Sequence, residues 1–139
     1  MCGEAYRGKR VFVTGHTGFK GSWLCLWLER LGAQVVGYSL APPTTPSLFE
    51  QAGVAAGIEH QIGDVRDSAA LCAALTAANP DFVFHLAAQP LVIDSYAAPT
   101  ATFATNVTGS INLMEAVRSS GMRGAVVMVT TDKVYLNRE

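Results

Sequence analysis

The stretch Val11-Phe-Val-Thr-Gly-His-Thr-Gly-Phe-Lys-Gly21 decides the fold. It opens as a β-branched and aromatic run, the composition of a buried strand. Gly15, Gly18 and Gly21 then follow in a G-x-x-G-x-x-G spacing, and a helical pattern starts at once. A strand that breaks into glycines and opens a helix is a phosphate-cradling turn. The glycines let backbone approach closely, and the helix amino end aims N–H groups at a pyrophosphate. The competing reading is a tight strand-to-helix turn without a ligand. Here the flanking strand and helix are both readable and stand near the start of a βαβ pattern, which predicts a dinucleotide.

Outward from that turn, strand and helix alternate. Residues 10–14 form strand one. A helix follows from about Gly18 to Leu31, with Leu24, Trp27, Leu28 and Leu31 as its apolar stripe and Gly32 as its stop. Gln34 to Tyr38 is strand two, and three prolines make Ala41 to Pro46 a loop. Ser47 to Gly53 reads as a short helical turn, and Glu59 to Ile62 as a weak third strand. Asp67 is placed to cap a helix carrying Leu71, Ala74, Leu75 and Ala78, which Asn79-Pro80 ends. Phe82 to Leu86 is strand four. One long helix is expected from about Pro99 to Ser120, with Phe103, Val107, Ile111, Met114 and Val117 on one face. Ala125 to Thr130 is strand five. Strands four and five are nearly continuous apolar runs, as in a parallel sheet covered on both faces. The expected fold is α/β, a Rossmann-type doubly wound parallel sheet ordered 3-2-1-4-5.

Length and composition agree. A chain of 139 residues is one domain, large enough to bury a core. Half of it is apolar, 15% is charged and the net charge is -1, with no basic run to suggest nucleic acid. No apolar stretch is long enough to span a membrane and no signal-peptide pattern opens the chain, so a cytoplasmic location is the default expectation. Cys2, Cys25 and Cys72 are odd in number and widely spaced, which argues against a metal site or a disulfide framework. Cys25 and Cys72 fall inside helical patterns and read as small core residues.

In such a sheet the ligand lies beyond the carboxyl ends of the strands, at the switch between strands one and four. The residues there are His16, Thr17 and the glycines; Ser39; Gly63-Asp64-Val65-Arg66; Ala87-Ala88-Gln89; and Thr130-Thr131-Asp132-Lys133. Asp64 suits an adenine amino group, or caps a solvated turn. Ala87 and Ala88 are small enough for close backbone approach to a ligand, or for plain helix–strand packing. His85, inside a strand, reads as a hydrogen-bonded core residue. No Asp or Glu lies between Glu29 and Glu50 to hold ribose hydroxyls, and no Lys or Arg between Arg30 and Arg66 to hold a 2′-phosphate. NAD against NADP is therefore open on the residues alone, with Ser39 as the alternative ribose partner. In Thr131, Asp132 and Lys133 a hydroxyl, a carboxyl and an amine stand together, a set able to polarise a carbonyl and relay protons. A polar turn with a surface Lys–Asp pair is the bland alternative.

Taken together, VFVTGHTGFKGSWL, GDVRD, FHLAAQP, TNVTGSINLMEAVR and VTTDKVY resemble the extended short-chain dehydrogenase/reductase family, that of the NAD-dependent epimerases and dehydratases. GHTGFKGSWL, PPTTPSLFE, HLAAQPLV and TTDKVYLN are closer to its CDP-glucose 4,6-dehydratases than to generic sugar-nucleotide epimerases. The resemblance implies a lyase reaction on a nucleotide sugar. The sugar is oxidised at C4, loses water across C5–C6 and is reduced at C6, and NAD is regenerated. It also implies roles. Gly15, Thr17, Gly18, Phe19 and Lys20, with His16 and Gly21 completing the turn, line the cofactor phosphates. Asp64 and Val65 contact adenine. Leu86, Ala87, Ala88 and Gln89 flank pyrophosphate and ribose, with Asn106 and Thr130 behind the nicotinamide. Thr131 bonds the sugar oxygen, Asp132 delivers the proton to the leaving C6 hydroxyl, and Lys133 stands where related dehydratases carry a Glu.

The sequence also departs from the family. Ala41 replaces a usual Asp, Ile93 a usual Arg, and Leu136 a usual acidic residue. The family's Y-x-x-x-K pair is missing: four residues after Tyr6, Tyr38, Tyr96 and Tyr135 stand Arg10, Pro42, Thr100 and Glu139. The expectation is an incomplete dinucleotide-binding domain over 1–139 without a substrate lobe, inactive alone and prone to form homo-oligomers through uncovered apolar surface. A stand-alone dinucleotide-binding module and an epimerase are the alternatives. The Asp132-Lys133 pair favours a dehydratase, because an epimerase does not expel the C6 hydroxyl.

Overall fold

The computed structural model describes residues 2–131, and the side chains from Glu4 onward. Five strands form one parallel sheet: β1 (Arg10–Thr14), β2 (Gln34–Ser39), β3 (Glu59–Ile62), β4 (Phe82–His85) and β5 (Ala125–Met128), ordered β3-β2-β1-β4-β5. This is the expected Rossmann-type order. Between the strands run α1 (Phe19–Arg30), α2 (Leu48–Gln51), α3 (Ser68–Ala78), α4 (Val92–Ala97), α5 (Pro99–Phe103) and α6 (Gly109–Ser120). No helix among the described residues is long and apolar enough to cross a membrane.

The two-residue alternation of a strand divides the core. Val11, Val13 and Val35 point to one face, where they meet Cys25 and Leu28 of α1, Phe49 of α2 and Val54. Phe12, Val36, Tyr38 and Val83 point to the other, where they meet Leu71 and Leu75 of α3 and Leu113 and Ala116 of α6. Cys25 is fully buried, and burial pushes its thiol up to about 12. Caps follow the sequence signals. The Ser47 hydroxyl accepts from Glu50 N, and the Asp67 carboxylate accepts from Ala70 N.

Four expectations change. The stripe read on α1 is displaced: its buried residues are Gly21, Ser22, Cys25 and Leu28, while Trp27 is 62% exposed. Close helix–sheet packing favours small side chains there, and a search for large apolar residues overlooks them. Cys72 is only partly buried, with its sulfur 3.4 Å from the Ser119 hydroxyl. The long helix is continuous in backbone angle but passes through a π-helical segment, Ala104–Thr108, between α5 and α6. Gly109, Leu113 and Ala116 are buried, whereas the expected face of Phe103, Val107, Ile111 and Met114 lies open. Finally, β5 alternates exposed and half-buried residues and is not covered on both faces.

Candidate functional site

The glycine turn stands at the carboxyl end of β1. Gly15 has φ +75°, a left-handed backbone that favours glycine, and a Cβ there would lie 2.7 Å from Ala87 N. A Cβ at Gly21 would run into the Gly15 carbonyl. The turn therefore packs backbone against backbone, both on the segment after β4 and on the first turn of α1. Gly18 is the N-cap of α1 and supplies no side-chain cap. The first turn of this twelve-residue helix is thus left for an outside acceptor, and that suits a phosphate.

Side chains around the turn are tied down. Thr17 Oγ1 shares a 2.9 Å hydrogen bond with Ser39 Oγ and donates to the Leu40 carbonyl. Ser22 Oγ donates to the His16 carbonyl at 3.0 Å. Thr14 Oγ1 accepts from Ala87 N and bonds His85 Nδ1 at 2.7 Å, while His85 Nε2 meets Ser110 Oγ at 3.1 Å. His85 is thus a satisfied core residue, and burial holds its pKa below the ordinary imidazole range.

The His16 side chain is fully buried beneath the turn, so only its backbone faces a ligand. Its Nε2 lies 2.6 Å from His60 Nδ1. Burial first, and the neighbouring His60 second, pull its pKa down to about 4, against the Tyr38 carbonyl, which raises it. Among the described residues, its Nδ1 is buried without a hydrogen-bond partner.

Beyond β3, the Asp64 carboxylate is held by its bonds to Arg66 Nε and Nη2 and to Arg66 N. The Arg66 bonds keep its pKa below the usual carboxylate range. Val65 follows Asp64 with its side chain turned inward. Its side chain is buried in the core and packs against Gly109, and its carbonyl accepts from Asn112 Nδ2. Beyond β4, Leu86 packs toward the core, and Ala88 is exposed. Gln89 N donates to Asn106 Oδ1 at 2.7 Å, and Asn106 Nδ2 donates back to the Gln89 carbonyl at 3.0 Å. Phe19, Lys20, Thr130 and Thr131 are exposed at the same end of the sheet. Asp132 and Lys133 lie outside the described residues.

Sequence reasoning missed Thr14, His60 and Asn112. Thr14 was visible as the polar end of strand one, and the register pairs it with His85. Asn112 stands six residues after Asn106 on the same helix and holds the carbonyls of Val65 and Arg66. For His60 no local signal exists, because its partner is in the glycine turn 44 residues away.

The profile described as GDP-mannose 4,6 dehydratase matches residues 12–137. The chain is 54% identical to the CDP-glucose 4,6-dehydratase of Salmonella typhimurium, over 96% of this chain and 37% of that protein. It is 36% identical to the GDP-mannose 4,6-dehydratase sdnI of Sordaria araneosa, over 88% of this chain and 22% of that protein. A crystal structure of UDP-glucose-4-epimerase from Stenotrophomonas maltophila with bound NAD and formylated UDP-arabinopyranose superposes with a TM-score of 0.80. Identity there is 30%, over 94% of this chain and 39% of that one. The chain thus spans little more than a third of the length of the Salmonella dehydratase and of the Stenotrophomonas epimerase.

Proposed function

Because the chain belongs to the GDP-mannose 4,6-dehydratase family, we propose that it forms the NAD-binding part of a sugar-nucleotide 4,6-dehydratase, a lyase acting on CDP-glucose. The observation that carries the cofactor reading is the glycine turn. Its backbone sits against Ala87, and α1 has no side-chain cap. The choice of CDP-glucose rests on the 54% identity to the Salmonella enzyme. The preference for NAD rests on the NAD-bound epimerase.

In this reading the turn from Gly15 to Gly21 holds the pyrophosphate, and Ser39, linked to Thr17, is the ribose partner. Asp64 takes the adenine amino group, with Val65 shaping that end from inside the core. Leu86, Ala87, Ala88 and Gln89 form the opposite wall, which Asn106 fixes from the helix, and Thr130 adjoins the nicotinamide. When bound, NAD supplies a reversible oxidant for the sugar. The chain's own chemistry is proton handling and orientation. The Thr131 hydroxyl orients the C4 oxygen, Asp132 gives a proton to the leaving C6 hydroxyl, and Lys133 occupies the position of the assisting Glu. The protein works in the cytoplasm as a homo-oligomer.

Calorimetry of this chain with NAD, NADP and CDP-glucose tests the reading. NAD binding in preference to NADP is expected, and no NAD binding would reject the cofactor site. The 139-residue chain by itself is expected to produce no 4-keto sugar, since it contains no Y-x-x-x-K pair.

A further inference from the structure

Two side chains rise from the floor of the glycine turn, and each is tied to a different strand. Thr17 is held by Ser39 and Leu40 at the end of β2. His16 is held by His60 of β3, across the sheet face. The parallel register pairs Gly37 with His60. A Cβ at Gly37 would lie 2.5 Å from the His16 ring, so the missing side chain of Gly37 is the space the ring enters. His60 stands beside that space and closes it. Phe49 packs against both rings, with centroids 5.4 Å from His16 and 4.9 Å from His60. The His16 carbonyl is fixed separately by Ser22. The position of the His16 Cα, and so the aim of the amides beside it, depends on how the ring is seated below.

We propose that His60 is a positioning residue of the dinucleotide site: its 2.6 Å hydrogen bond seats the His16 ring in the gap at Gly37 and thereby sets the aim of the glycine turn at phosphate. This rests on reading the turn as a pyrophosphate cradle. A hydrogen bond between two imidazole nitrogens needs one ring to donate and the other to accept, so the pair shares a single proton along the contact. Phe at position 60 keeps the bulk against Phe49 and removes the bond. Asn at 60 places an amide near the position of Nδ1 and can restore it.

The test is calorimetric titration of the chain and its variants with NAD, alongside NMR titration with adenosine, which lacks the pyrophosphate. His60→Phe should weaken NAD about three- to tenfold, the equivalent of one net hydrogen bond. Adenosine binding should be unchanged, and His60→Asn should recover most of the loss. Equal NAD affinity in wild type and His60→Phe overturns the proposal and leaves the cofactor reading intact. Parallel loss of NAD and adenosine also overturns it, because that marks a general structural role. If wild type does not bind NAD, the cofactor reading falls and the proposal with it. If His60→Phe does not fold, His60→Asn against His60→Gln makes the same comparison, and equal affinities again overturn the proposal.

Discussion

The half of the sheet around β1 and β2 and the half around β4 and β5 are both apolar in sequence, yet they end in different states. Around β1 and β2, Val11, Phe12, Val13, Val35, Val36 and Tyr38 are buried between α1–α2 on one side and α3–α6 on the other. Around β5 the strand is half exposed, and the helix beside it turns Phe103 and Ile111 outward at 67% and 61% exposure. Apolar periodicity identifies a face, whereas burial requires another element to occupy it. The first half supplies that element locally, and among the described residues the second does not.

The sharpest way to break the comparison is at the junction of the halves. Gly15→Val adds a β-branched side chain at φ +75°, against the backbone of Ala87. A loss of about 3–5 kcal/mol in urea unfolding is expected, together with loss of NAD binding. A cost below about 1 kcal/mol would show that the turn and the segment after β4 move apart easily.

The contrast can be sharpened within one helix. Leu113 is fully buried, and Leu113→Ala should cost about 3 kcal/mol in the same assay.

Acid should act on the β1 side. The His16 pKa is about 4 in the folded chain against 6.5 unfolded, so the unfolded state binds the extra proton between those values. The stability this group contributes is complete above pH 6.5 and is lost as pH falls toward 4. The loss reaches about 3 kcal/mol at about 1.4 kcal/mol per pH unit. His85, also lowered by burial, acts in the same direction. Thermal melts that do not change between pH 7 and 4.5 would contradict a neutral, buried His16.

Smaller effects follow on the β4 side. Asn106→Ala removes the two bonds to the Gln89 backbone and should cost about 1–2 kcal/mol, with weaker NAD binding. Smallest of all, Ile111→Ala should change stability by less than about 0.5 kcal/mol. A cost near that of Leu113→Ala would show that something covers this face in solution.

Much of the fold was legible because local signals carried it. The bounds of β1 and β3, the cap at Asp67 and the stops at Gly32 and Asn79 all depend on residues within a few positions. The π-helical segment was not legible. Its five residues continue an ordinary helical pattern, and the face of α6 that is covered, with Leu113 inward and Ile111 outward, is set by the elements packed on it. Helix α4 was missed for a related reason: six residues are too few to show a period.

The sequence by itself determined the parallel α/β order, the glycine turn and the set of residues at the carboxyl ends of the strands. Those are consequences of periodicity and of glycine geometry, which act over short spans. Only the tertiary structure decided how that set is used. It buried Val65 and the His16 ring, tied Asp64 to Arg66, joined Asn106 to Gln89 and brought His60 under the turn. Each of these depends on which strands lie side by side and on what fills the space a glycine leaves. Spacing along the chain does not encode such contacts.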